Sequence, residues 1–174
     1  MGGPEMAPHT PPPASRSSQG LDRPRDSAPV ITEIDIHVDA NALRGLERDV
    51  LVLTAEERRW GRRRVKTAAG RELILALPTG TALTPGHVLH RDADWYVVID
   101  AAAEPVLAIT PRSRDEALRV AFEVGNRHFT LAIDGDRLLV PDDTAMEQLL
   151  TRLNVPWKRD HTVFVPVGAG HRHD

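Results

Sequence analysis

Ser113-Arg-Asp-Glu-Ala-Leu-Arg-Val-Ala-Phe-Glu-Val-Gly125-Asn-Arg-His128 is the stretch from which the fold is read. Ser113 with Glu116 three residues on has the spacing of a capping box, in which the two side chains satisfy the free N–H groups of a helix start. Ala117, Val120, Ala121 and Val124 then recur at helical spacing, and Gly125 is the expected stop. Working outward, the apolar run 106–109 predicts a strand before this helix and 129–133 one after it. Asp134-Gly135 is a tight-turn signal, so 137–140 returns as a hairpin partner. Asp142 or Asp143 caps a second helix whose buried face holds Met146, Leu149, Leu150 and Leu153, and 163–165 is the last strand. The order β-α-β-β-α-β is the ferredoxin-like arrangement.

Upstream the period changes. Residues 34–38 alternate apolar and polar, 50–53 is a compact apolar run, and 62–67 with 72–77 reads as a hairpin turning at Ala68-Ala69-Gly70. Pro78-Thr-Gly80 and Pro85-Gly86 mark further turns, and 95–99 is one more strand. The expected class is α+β: an N-terminal all-β domain over 29–102, then a ferredoxin-like domain over 103–167, with 100–105 as linker. Seven of the 14 prolines fall at or before Pro29. Residues 1–28 are therefore read as a disordered Pro-rich leader, and 168–174 as a flexible polar tail. Domains near 60–70 residues bury too little surface to be robust alone, so docking or dimerisation is expected to add stability.

Composition removes whole classes of function. The 174 residues include no Cys, which excludes disulfides, thiolate nucleophiles and zinc fingers. Twenty-two Lys and Arg against 25 Asp and Glu give a net charge of −3, a balance that argues against bulk binding of nucleic acid or anionic membrane. No run approaches the ~18 apolar residues of a membrane span, and no signal sequence opens the chain, so the expected location is cytoplasmic. G-x-S-x-G, P-loop and H-E-x-x-H motifs are all missing. The chain is read as a non-enzyme.

Three features compete as sites. The basic stretch 58–66, containing Arg58, Arg59, Arg62, Arg63, Arg64 and Lys66 around Trp60, is either a contact for peptide or nucleic acid or the solvated face of a strand. In a strand, Arg62 and Arg64 share one face and Arg63 and Val65 the other. His128, just past a helix end, is either structural or, near a two-fold axis, one of two converging imidazoles. His171 and His173, spaced to point to one side of an extended chain, are either solvated or metal ligands. His9, His37, His87, His90 and His161 carry weaker signals, and nothing in their spacing selects any of them as a ligand.

Certain motifs, in their order, point to a family. Leu53-Thr54, then Glu57-Arg58 and Arg62-x-Arg64, is followed by Leu75-Ala-Leu-Pro78-x-Gly80 and by Leu83-x-x-Gly86-x-Val88-Leu89, with His87 where Asp is usual. Glu104-Pro105-Val106-Leu107, Gly125-Asn126-Arg127-His128 and Phe164-Val-Pro166-x-Gly168-Ala169 complete the series. From about Ile31 to the C-terminus the chain resembles the urease accessory nickel metallochaperones of the UreE type. The resemblance implies a homodimer joined through the ferredoxin-like domains, with Ni(II) shared by one His128 from each protomer. It also implies delivery to apo-urease in a complex with the urease accessory GTPase, and a β domain serving as a docking surface. His171 and His173 stand where relatives often carry a longer His-rich tail, so metal storage is expected to be small. Zn(II) and Cu(II) are expected competitors in vitro. The alternative is a non-metal adaptor that binds peptide or nucleic acid through 58–66.

Overall fold

The computed structural model describes residues 28–35 and 37–168. The leader 1–27, Ile36 and the tail with His171 and His173 lie outside the described residues.

The N-terminal half is built of strands β1 (Val30–Ile31), β2 (Glu47–Leu53), β3 (Arg62–Lys66), β4 (Glu72–Ala76), β5 (Val88–Arg91) and β6 (Trp95–Ala101), with short 3-10 turns at Ala40–Leu43 and Glu57–Arg59. They form two three-stranded sheets, β1-β4-β3 and β2-β6-β5. β1 runs parallel to β4 and β2 parallel to β6, while β3 with β4 and β5 with β6 are antiparallel. Strand alternation sends Leu51, Leu53, Leu73, Leu75, Val97 and Ile99 into one shared core. At the rim, the buried Asp49 carboxylate accepts hydrogen bonds from Thr67 Oγ1 (2.5 Å), Arg71 Nη1 (2.9 Å) and the backbone N–H groups of Val50 and Ala69. Burial alone would raise this carboxyl; the four bonds outweigh it and hold the group at about 2.

Two expectations fail in this half. Among the described residues of 34–38 no strand forms: the Asp35 side chain accepts the His37 N–H (3.0 Å), a local turn that competes with pairing, and an isolated bridge joins Asp35 to Val88. Nor is 100–105 a linker. β6 ends at Ala101 and the next strand begins at Ala103, the Ala102 N–H donates to the Leu53 carbonyl (2.9 Å), and Glu104 Oε1 accepts from the Ala55 N–H (2.7 Å). Small Ala residues let the chain pass directly between the two halves.

The C-terminal half runs β7 (Ala103–Ile109), α1 (Arg114–Gly125), β8 (Ala132–Asp134), β9 (Arg137–Pro141), α2 (Thr144–Leu153) and β10 (Trp157–Val163). Its sheet has the order β10-β7-β9-β8, antiparallel throughout. This is the expected β-α-β-β-α-β arrangement. One sheet face packs Leu107, Ile109 and Val140 against Val120 and Val124 of α1 and Met146, Leu149 and Leu150 of α2. The other packs Val106, Ala108, Ala132 and Leu139 against Phe164, with Ala55 of the first half alongside. The second part of β7, Val106 to Ile109, is apolar in unbroken sequence because both of its faces are covered there.

Strand ends differ from expectation. β8 starts at Ala132, not at Phe129, because Phe129 is drawn into the end of α1. The final strand is 157–163 and not 163–165. Its polar run Lys158-Arg-Asp-His161 suits an edge strand, where charge deters further pairing, and so hides it from a search for apolar alternation.

Candidate metal centre

α1 opens as its sequence dictates: Ser113 Oγ accepts from the Glu116 N–H (3.1 Å), and Glu116 Oε2 accepts from the Arg112 N–H (2.6 Å). Its end is less ordinary. Gly125 is the last helical residue and Asn126 the C-cap, with right-handed backbone, so Gly125 is not the left-handed stop. That position belongs to His128, with φ of 59°. The His128 N–H donates to the Gly125 carbonyl (2.9 Å) and the Phe129 N–H to the Val124 carbonyl (3.3 Å). Phe129 then packs on the core that contains Val124. This is the Schellman pattern, in which glycine normally holds the left-handed residue. A side chain there costs about 1–2 kcal/mol, although His tolerates it better than most. The backbone turn points to glycine; the chain carries an exposed imidazole instead.

Apolar side chains stand exposed on α1 and on the hairpin that follows His128. Leu118 and Phe122, one helical turn apart on α1, are 58% and 70% exposed. Ile133 is 64% exposed, and its register opposite Leu138 sets it on the helix-bearing side of the sheet. Beside the imidazole, Arg127 is satisfied locally, donating from Nη1 to the Glu123 carboxylate (2.5 Å) and to the Glu123 carbonyl (2.8 Å). Sequence reading missed Leu118, Phe122 and Ile133. Their signal was available: apolar side chains off the buried face of an otherwise well-patterned helix and hairpin.

The last described residues return to this end of the sheet. After β10, residues 164–167 cross the sheet face opposite the helices, and the Val167 N–H donates to the Leu131 carbonyl (2.8 Å), three residues from His128. His171 and His173 follow in sequence, outside the described residues.

The other histidines are placed apart. His90 lies on β5 with its ring 5.1 Å from that of Trp95, and its Nε2 is buried without a partner. Burial pushes its pKa down, and Asp92 opposes that. His87 sits in the turn before β5, His37 in the Asp35 turn, and His161 on the exposed edge of β10. Among the described residues, no three His, Asp or Glu side chains gather into a metal-ligating cluster. Nor is 58–66 one basic surface. Arg58 is 4% exposed, and Arg63 is taken by Glu57 and stacked over Trp60, which leaves Arg59, Arg62, Arg64 and Lys66 outside. Arg62 and Arg64 share the exposed face of β3, as strand geometry requires.

The chain is thus a two-part α+β protein, a β domain followed by a ferredoxin-like domain, with an exposed imidazole just past the end of a helix that carries a bare apolar face. Residues 31–102 match the UreE urease accessory protein N-terminal domain, and residues 104–174 its C-terminal domain. A Urease accessory protein UreE of Deinococcus radiodurans is 45% identical over 112 residues, covering 64% of this chain and 72% of its own length. One from Synechococcus sp. (strain JA-3-3Ab) is 38% identical over 130 residues, covering 74% and 87%. The chain belongs to the UreE family of urease accessory proteins. The family is one of accessory proteins, not of enzymes. No helix among the described residues is long and apolar enough to cross a membrane.

Proposed function

We propose that this protein is a nickel metallochaperone for urease maturation. It works in the cytoplasm as a homodimer formed through the ferredoxin-like halves. Ni(II) is its cargo, gripped by one His128 from each protomer and completed by His171 and His173. The urease accessory GTPase and the urease apoprotein assembly receive it.

The observation that carries this reading is His128 itself: an exposed imidazole, kept at a position where the backbone favours glycine, just past the end of the helix that exposes Leu118 and Phe122. Backbone strain of this kind persists where a side chain has a task. A second copy seated on α1 covers the apolar face and, by two-fold symmetry, brings a second imidazole to the same seam. Two imidazoles with water leave the coordination shell partly open, which suits a carrier that must release its metal. Tail imidazoles add affinity and are exchangeable for ligands of the receiving protein. Imidazole ligands bind Zn(II) and Cu(II) as well, so selectivity rests on geometry and on the partner, not on affinity alone.

Nickel titrated calorimetrically into the intact dimer and into His128→Ala tests this. The mutant is expected to lose the high-affinity site while keeping its circular dichroism and its dimeric mass. Unchanged nickel affinity in a folded His128→Ala dimer would end the assignment.

A further inference from the structure

We infer that the outer edge of β3 is a docking site for an acidic, extended segment of another protein, which joins the sheet as an added antiparallel strand. The site lies wholly in the β half and needs neither His128 nor a metal.

β3 ends the order β1-β4-β3 and pairs with β4 alone. Just outside the strand, the Leu77 N–H donates to the Gly61 carbonyl (2.8 Å) and the Thr67 N–H to the Arg71 carbonyl (2.9 Å). These two bonds fix the phase of the ladder. Arg63 and Val65 turn their backbone groups toward β4, so those of Arg62, Arg64 and Lys66 turn away from it. The same three side chains are exposed, on the sheet face opposite to the one that sends Leu73 and Leu75 into the core. At about 6.8 Å per two residues they form a row of positive charge ~14 Å long. Directly across on β4 they meet Ala76, Ile74 and Glu72, which supply one acid between them. Arg64 lies 3.9 Å from Glu72 with both side chains well exposed, a pair that contributes little. Among the described residues neither Arg62 nor Lys66 forms an ion pair. Arg63, on the inner face, is already taken by Glu57.

Charge complementarity selects the occupant. Cations along an edge deter pairing with a copy of the same strand, which would set arginine against arginine, and with a purely apolar strand. They do not deter a strand of opposite charge. A segment with Asp or Glu at alternate positions places a carboxylate opposite each of Arg62, Arg64 and Lys66, while its backbone takes up the outward N–H and C=O groups of the same residues. A single-stranded nucleic acid fits less well. Its phosphates accept from N–H groups but leave the outward carbonyls without donors. Trp60, the ring available for stacking, already carries the Arg63 guanidinium over one face at 5.3 Å. An acidic peptide uses both the charge and the backbone that the edge presents; a nucleic acid uses the charge.

Three labelled probes titrated into the full-length, metal-free protein at low ionic strength test this: a peptide of alternating Glu and Val, one of alternating Lys and Val, and a single-stranded oligothymidine. By fluorescence anisotropy the Glu-Val peptide is expected to bind and the Lys-Val peptide not to. The double variant Arg62→Gln, Arg64→Gln is expected to weaken the Glu-Val complex about tenfold, the sum of two cross-strand charge pairs. Arg64→Glu, a single exposed change, is expected to act in the same direction and serves where the double variant folds poorly. In amide hydrogen exchange, the bound peptide is expected to slow Arg62, Arg64 and Lys66, while Arg63 and Val65, already bonded to β4, change little. Absence of Glu-Val binding, or equal affinity in the folded variants, overturns the site. Binding that leaves the exchange of Arg62, Arg64 and Lys66 unchanged overturns strand addition. Tighter binding of the oligothymidine than of the Glu-Val peptide overturns the acidic partner and assigns the edge to nucleic acid.

Discussion

His128 carries two demands that conflict. The turn after α1 favours a residue without Cβ, and the proposed metal site needs an imidazole. Replacing it with glycine separates them. His128→Gly is expected to raise the unfolding free energy of the metal-free protein by about 1 kcal/mol, read by urea titration, while abolishing high-affinity nickel binding. Equal or lower stability would show that the left-handed turn costs nothing here. Asp49 is a second residue whose environment sets its chemistry. Its carboxyl is held at about 2, below the ordinary aspartate value of 3.8, so the folded state binds its proton less readily than the unfolded chain does. Its contribution is therefore complete above the unfolded value and is lost as pH falls from about 4 through about 2, an amount of about 2 kcal/mol. Urea unfolding of wild type and Asp49→Asn from pH 6 to pH 2 checks this: the gap between the two is expected to narrow by that amount, and a gap independent of pH would refute it.

At the scale of elements, the two helices differ in what their ends do. α2 begins at Asp143, whose side chain accepts from the Ala145 N–H (2.7 Å) and the Met146 N–H (3.4 Å), and ends at left-handed Asn154. Asn takes that backbone readily, so the end of α2 is unstrained and structural. Asp143→Ala is expected to destabilise the protein by about 1 kcal/mol without changing nickel affinity, as chemical denaturation and calorimetry together would show. A loss of affinity would mean that α2 reports to the site. α1 differs on its long faces as well: Val120 and Val124 are buried, while Leu118 and Phe122 on the other side have no cover. Its second apolar face is the proposed protomer seam.

The whole molecule joins its halves by Arg58, by Glu104 and by Phe164 resting near Ala55, with scarcely any free chain between them. The proposed dimer then adds a second copy along α1. Phe122→Glu places a charge on that face and is expected to convert the dimer to a folded monomer in light-scattering measurements, with loss of high-affinity nickel binding. A charged variant that remained dimeric would move the seam elsewhere.

Local pattern determined a great deal of this protein. The capping box at Ser113, the helical spacing of Val120 and Val124, the Asp134-Gly135 turn and the Asp143 cap follow from interactions within a few residues, so the ferredoxin-like order was legible without coordinates. Motif order likewise pointed to His128 and to the family. Other features were decided only by distant contacts. Residues 34–38 alternate like a strand, yet a side-chain turn at Asp35 competes with their pairing. The polar run of β10 becomes a strand because β7 lies beside it. Arg58 looks like its exposed neighbours in sequence, and only the approach of Phe164, 106 residues away, makes it a buried tie. Gly125 and His128 exchange their expected roles because the Phe129 ring is taken into the core. Periodicity encodes which face of an element is apolar; which partner covers that face, or leaves it bare as on α1, is set when the chain closes on itself.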